Sequence, residues 1–181
     1  MRLAPDSVVV EARVLDSVKE ALAWFGAEAL VGVDMPLGLP DAAEPGGREC
    51  DRLARRLLGR RGACVFSPPA RGALAAADYP AALAANRASS PHGLGLSKQS
   101  YNLFPKIREL DAAIGTAEQE RVFEVHPEVA FAVLNGGSPV IEPKKSAAGR
   151  AARVALLRKL PWEPPDPRAD ARRLGGCAAD D

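Results

Sequence analysis

A chain of 181 residues that is 47% hydrophobic holds enough material for one domain with a real core, which excludes a disordered protein. A net charge of +1 and a pI near 7.7 exclude a uniformly basic nucleic-acid coat, so any basic footprint must be local. Cys50, Cys64 and Cys177 form no C-x-x-C pair and are odd in number, which argues against a disulfide framework and for a cytoplasmic protein.

Residues 1–16 lack the apolar core of a signal peptide, and no apolar run approaches the ~20 residues of a membrane span. Sixteen prolines and sixteen glycines predict many turns and short helices. No repeat is visible at the periods of solenoids or propellers.

In chain order, the valine-rich stretch Val8–Val14 predicts a strand. Asp16 then predicts the cap of a helix from Ser17 to Phe25, with Gly26 as its stop. Leu30–Asp34 is a short apolar run bounded by breakers, which predicts a strand buried on both faces. Strand, helix, strand predicts a crossover unit with the two strands in one sheet. Asp34 ends the second strand. A carboxylate there sits where open α/β sheets bind ligands, although Asp also caps turns.

Arg48–Leu58 reads as a helix burying Leu53, Leu57 and Leu58. Arg52, Arg55 and Arg56 fall on or beside one face, either solvated or facing phosphate. Residues 64–71, with Pro68 and Pro69, must be extended, and this stiff segment fixes Arg71. Asp78 predicts the cap of a helix to Arg87, and residues 88–95 a loop.

Ser97–Ile114 carries an apolar stripe of Leu103, Ile107, Leu110 and Ile114. Gln99, Asn102, Lys106 and Glu109 would share a polar face of one helix. Pro105 interrupts that helix, which either starts there or bends there. Arg121–His126 predicts a third strand, with Val122, Glu124 and His126 on one side. Pro127 opens a helix to about Leu134. Glu124, His126 and Glu128 thus converge on a strand end and a helix start, a setting for acid–base work. Ser146 predicts the cap of a helix from Ala147 to Leu160. Lys144, Lys145 and Arg150 crowd its positive end, and that conflict points to a bound anion.

VGVDMPLGLP, RECDRLARRLLGRR, VFSPPAR, SKQSYNLFPKIRELD, EVHPEVAFAVLNGG and PKKSAAGRAARVALL occur together and in this order. In these motifs the chain resembles the predicted RNase H-fold nucleases of domain of unknown function 429, from about Val8 to Leu160. The resemblance implies a single α/β domain, an RNase H-like mixed sheet flanked by helices. It implies a hydrolase that cleaves phosphodiesters of nucleic acid with Mg²⁺ or Mn²⁺. Asp34, Glu124, Asp180 and Asp181 are then the expected metal ligands, and Asp34, Glu124, His126 and Asp181 the expected catalytic residues. Arg71, Gln99, Lys106, Lys144, Lys145 and Arg150 are expected to hold the substrate. Members of the family usually open with an Asp-bearing strand and hairpin and close with an Asp-rich helix. The first hairpin and last helix are therefore expected to be missing here, with little or no Mg²⁺-dependent cleavage by the chain as it stands and a sheet edge open to a second copy. Two alternatives stand beside this. One is a non-catalytic protein binding nucleic acid or a phosphorylated small molecule. The other is an actin-like ATP-dependent phosphotransferase, against which no Gly-rich phosphate loop follows a strand.

Overall fold

The computed structural model of the chain describes residues 2–4, 7–11 and 13–160. Among them are four short strands and eight α-helices: β1 (Arg2–Ala4), β2 (Ser7–Glu11), α1 (Val18–Phe25), β3 (Val31–Val33), α2 (Glu49–Leu58), α3 (Tyr79–Ala88), α4 (Lys98–Asn102), α5 (Phe104–Ala113), α6 (Thr116–Gln119), β4 (Val122–Glu124), α7 (Pro127–Leu134) and α8 (Ala147–Leu157). Gly59–Cys64 and Arg71–Ala75 are 3₁₀ turns. The architecture is α/β.

The expected three-stranded arrangement is not what forms. β2 pairs antiparallel with β1, while β3 pairs parallel with β4 in a separate sheet. A short hairpin satisfies the backbone of β2 locally, so the crossover from β2 through α1 to β3 joins two sheets rather than two neighbours. The first strand also stops at Glu11, short of Val14.

The β3–β4 register aligns Val31 with Val122, Gly32 with Phe123 and Val33 with Glu124. Alternation then sends Val31 and Val122 to one face, where both are buried. Leu30, Phe123 and Val125 are exposed instead. The strand expected to be buried on both faces is buried on one.

Two apolar clusters hold the remainder. Leu39, Ala73, Leu74, Ala82, Leu96, Phe104 and Ile107 form the larger, under α3 and α5. Leu58, Val65 and Ala132 form the smaller, between α2 and α7. In α2 only Leu58 of the three expected leucines is buried; Leu53 and Leu57 face outward, and Asp51 takes an inward position. That inward carboxylate is affordable because Arg48 binds it.

Caps set most helix starts. The Ser17 side chain caps α1 in place of the expected Asp16, Asp78 caps α3, Ser97 caps α4 and Ser146 caps α8. The Pro105 question resolves as a break. α4 ends at Asn102 and α5 begins at Phe104 with Pro105 in its first turn, where a missing N–H costs nothing. Gln99 therefore leaves the polar stripe that Lys106 and Glu109 keep.

A candidate cleft at the carboxyl edge of the parallel pair

Asp34 directly follows β3, and Glu124 ends β4. The Val125 N–H donates to the Val33 carbonyl at 2.9 Å, so the two chains leave the sheet side by side. Beyond them opens a cleft of about 230 Å³ lined by Asp34, Arg48, Cys50, Phe66, Glu124 and His126, among others. Three of the expected catalytic residues are thus together at the edge where α/β sheets bind ligands.

Arg48 organises one wall. It stands just before α2 and sends its guanidinium to two carboxylates. Nη1 and Nη2 donate to Glu124 Oε2 and Oε1 at 2.7 and 2.6 Å, and Nη2 and Nε donate to Asp51 Oδ1 and Oδ2 at 2.8 and 3.1 Å. Burial works to lower the Arg48 pKa, but the hydrogen bonds to Glu124 and Asp51 outweigh it and raise the value above the ordinary one. The loop after β3 is tied to the same pair. The Leu37 N–H donates to Glu124 Oε2 at 2.8 Å, and its carbonyl accepts from Arg48 Nη1 at 2.6 Å. Glu124 is thus the far anchor of a brace that positions residues 34–38. Cys50 sits beside this brace; burial first, then the nearby Asp51 and Glu124 charges, push its thiol pKa up, with Arg48 opposing.

His126 Nε2 lies 3.4 Å from the Cys64 carbonyl, and its Nδ1 is buried with no partner among the described residues. Glu128 does not join it. It is buried under α7, where Arg153 Nη2 donates to both of its oxygens at 2.7 Å and Arg61 Nη2 approaches at 3.4 Å. The expected convergence of Glu124, His126 and Glu128 is corrected to Glu124 and His126 alone. Position 128 is the second residue of α7, and the turn of the helix carries its side chain away from the cleft toward α8.

The residues expected to hold the substrate lie elsewhere. Arg71 pairs with Asp111 at 2.6 Å, which raises its pKa. Lys106 pairs with Glu109 at 2.9 Å, and Gln99 is exposed on α4. Lys144 and Lys145 precede α8, where the Ser146 side chain already caps the Gly149 N–H and Arg150 Nη1 donates to the Lys145 carbonyl. None of these six lines the cleft.

A divalent cation of the Mg²⁺ kind needs several oxygen ligands. Glu124 gives both of its oxygens to a guanidinium, and no three His, Cys, Asp or Glu among the described residues are grouped to hold a metal. The described residues therefore do not fit the implied cation. Asp180 and Asp181, the other expected donors, lie outside the described residues.

Arg48, Asp51 and Phe66 escaped the sequence reading. The i, i+3 spacing of Arg48 and Asp51 was a usable signal, whereas nothing local marks Phe66 as a cleft residue. No helix among the described residues is long and apolar enough to cross a membrane.

The chain matches, over residues 2–181, the family described as protein of unknown function (DUF429). No curated protein matches it, and no solved structure does. The chain belongs to the DUF429 family.

Proposed function

We propose that this member of the DUF429 family is an RNase H-like nuclease that hydrolyses a phosphodiester of nucleic acid, with the cleft at the carboxyl edge of β3 and β4 as its site. One observation carries the reading: the parallel register brings Asp34, Glu124 and His126 to one edge and into one cleft. In the proposed reaction water attacks phosphorus, Asp34 takes its proton, and the bond to the leaving oxygen breaks as that oxygen is protonated. His126, the imidazole that lines the cleft, is the group assigned to protonate that oxygen. Glu124 acts through the brace, holding the loop that carries Asp34.

A second reading is a protein that binds a phosphorylated ligand here without cutting it. The hold of Arg48 on Glu124 favours it, because both Glu124 oxygens are engaged by the guanidinium and no three His, Cys, Asp or Glu among the described residues are grouped to hold a metal.

The test is a cleavage assay on single-stranded, duplex and branched nucleic acid with Mg²⁺ or Mn²⁺, comparing the chain with Asp34→Asn and His126→Gln. Cleavage that both substitutions reduce supports the nuclease. Binding of the same substrates with no cleavage moves the assignment to the second reading.

A further inference from the structure

α2 carries more apolar surface than α7 covers. Successive residues of a helix turn by about 100°. Leu53 and Leu57 therefore form one ridge, and Ala54 and Leu58 a second ridge beside it. The second ridge packs with Val65, Val129 and Ala132. The first stays open, with Leu53 50% and Leu57 37% exposed.

The inner side of the same helix holds charge instead. Asp51 is buried on Arg48, and the half-buried Arg55 donates to the Val65 carbonyl at 3.0 and 2.6 Å and to Ser67 Oγ at 3.0 Å. Charges turned inward and leucines turned outward reverse the pattern of a helix built to face water. The open ridge runs beside the packed one, so a helix laid on Leu53 and Leu57 would lie alongside α7.

Charge selects the occupant. Arg52 and Arg56 flank the leucines on the side away from α7, and Arg60 follows in the 3₁₀ turn that ends α2. All three are exposed. Arg56 comes three residues after Leu53 and Arg60 three after Leu57, a spacing that sets each beside its leucine. Arg56 and Arg60 have no partner among the described residues, and Arg52 donates to the Gly47 carbonyl, a neutral acceptor. The acid on this side of α2 is Glu49, one turn before Leu53, so the face is net positive. A phosphate backbone would use the arginines and leave the leucines in water. A lipid surface calls for roughly four to eight basic groups and a broader apolar face than two leucines. Leucines with arginines along one flank suit a helix with an apolar stripe and carboxylates beside it.

We infer that the outer face of α2 docks an acidic amphipathic helix of a partner protein, its apolar stripe on Leu53 and Leu57 and its carboxylates along Arg52, Arg56 and Arg60. Neither leucine lines the cleft at the sheet edge, so the inference stands apart from the reaction assigned there.

The experiment is fluorescence anisotropy of two labelled synthetic helical peptides with the full chain at low salt. Both carry leucines at i, i+4 spacing; one has glutamates on the flank and its twin lysines. The parent chain is expected to bind the glutamate peptide at least about tenfold more tightly than the twin, a gap that added salt narrows. Leu53→Ser should weaken that binding about tenfold, the scale of one lost anchor. Arg56→Glu with Arg60→Glu should reverse the preference and favour the lysine twin, a gain that no folding defect produces. No binding of the glutamate peptide by the parent, equal binding by Leu53→Ser, or a preference unchanged by the charge reversal overturns the inference. Without peptide binding, co-sedimentation with phosphatidylserine vesicles that Leu53→Ser abolishes would assign the face to a lipid surface. Self-association abolished by the same substitution would assign it to a second copy of the chain. Either result overturns the inference.

Discussion

Glu128→Gln should cost stability while leaving the cleft intact. Glu128 and Arg153 each have side chains 9% exposed, and Arg153 Nη2 sits between both carboxylate oxygens at 2.7 Å. Arg61 adds a contact at 3.4 Å from a more exposed position. Neutralising Glu128 leaves the Arg153 guanidinium buried without its anion, and breaking such a pair costs about 3–5 kcal/mol. For a chain of this size each kcal/mol moves Tm by roughly 2–4 °C, so the loss should be about 6–20 °C. Thermal melts by circular dichroism, with urea titration to confirm an unchanged m-value, read it directly. Replacing both partners, as Glu128→Leu with Arg153→Met, should recover most of the loss, since apolar residues of similar volume replace such pairs at little cost. A Glu128→Gln protein within about 1 kcal/mol of the parent would refute the assignment of Glu128 to the interior, because only an exposed pair is worth so little.

Three further outcomes follow from the geometry. Arg48→Lys keeps the charge but not the fork that reaches Glu124, Asp51 and Leu37, so the Leu37 amide should lose hydrogen-exchange protection; unchanged protection would remove the brace. Cys50 is exposed, yet its thiol pKa is raised, so alkylation followed by mass spectrometry at neutral pH should be slower than for a free thiol, with the lag closing as pH rises; fast labelling at neutral pH contradicts this. The Glu109 pKa is lowered by Lys106 and by the Val18 N–H, so its tie to α1 is present above the ordinary carboxylate range and lost as pH falls through the depressed folded value. The Val18 amide resonance should report that titration below ~pH 4.3, the ordinary glutamate value, and a Val18 shift at higher pH would contradict it.

Elements with strong local signals were legible. Asp78 and Ser146 cap the helices expected of them, Pro127 opens α7, and the apolar runs around Val31 and Val122 are strands. Asp34 and Glu124 fall at one sheet edge because both runs end at a breaker on the same side of a parallel pair. What failed depended on tertiary partners. Leu53 and Leu57 carry the right spacing to be buried, but α7 packs on the side of Ala54 and Leu58. Val8–Val10 read as a sheet neighbour of β3, whereas an adjacent hairpin partner satisfies the same backbone groups. Glu128 looked like a site residue because its burial partner Arg153 is 25 positions away and invisible to local pattern. The Arg52 and Arg55 face, poised between water and phosphate, turned out to hold the loops flanking the cleft.

The central claim is that Asp34 works on a phosphodiester at the carboxyl edge of β3 and β4. Initial cleavage rates of the chain and of Asp34→Asn, at equal folded concentration and with Mg²⁺ or Mn²⁺ on single-stranded substrate, test it most directly. The account predicts slow but measurable cleavage that Asp34→Asn reduces by about 10²-fold or more, the scale of a lost general base, with the KM little changed. Equal rates for the two proteins, or no cleavage by the parent chain, would contradict it.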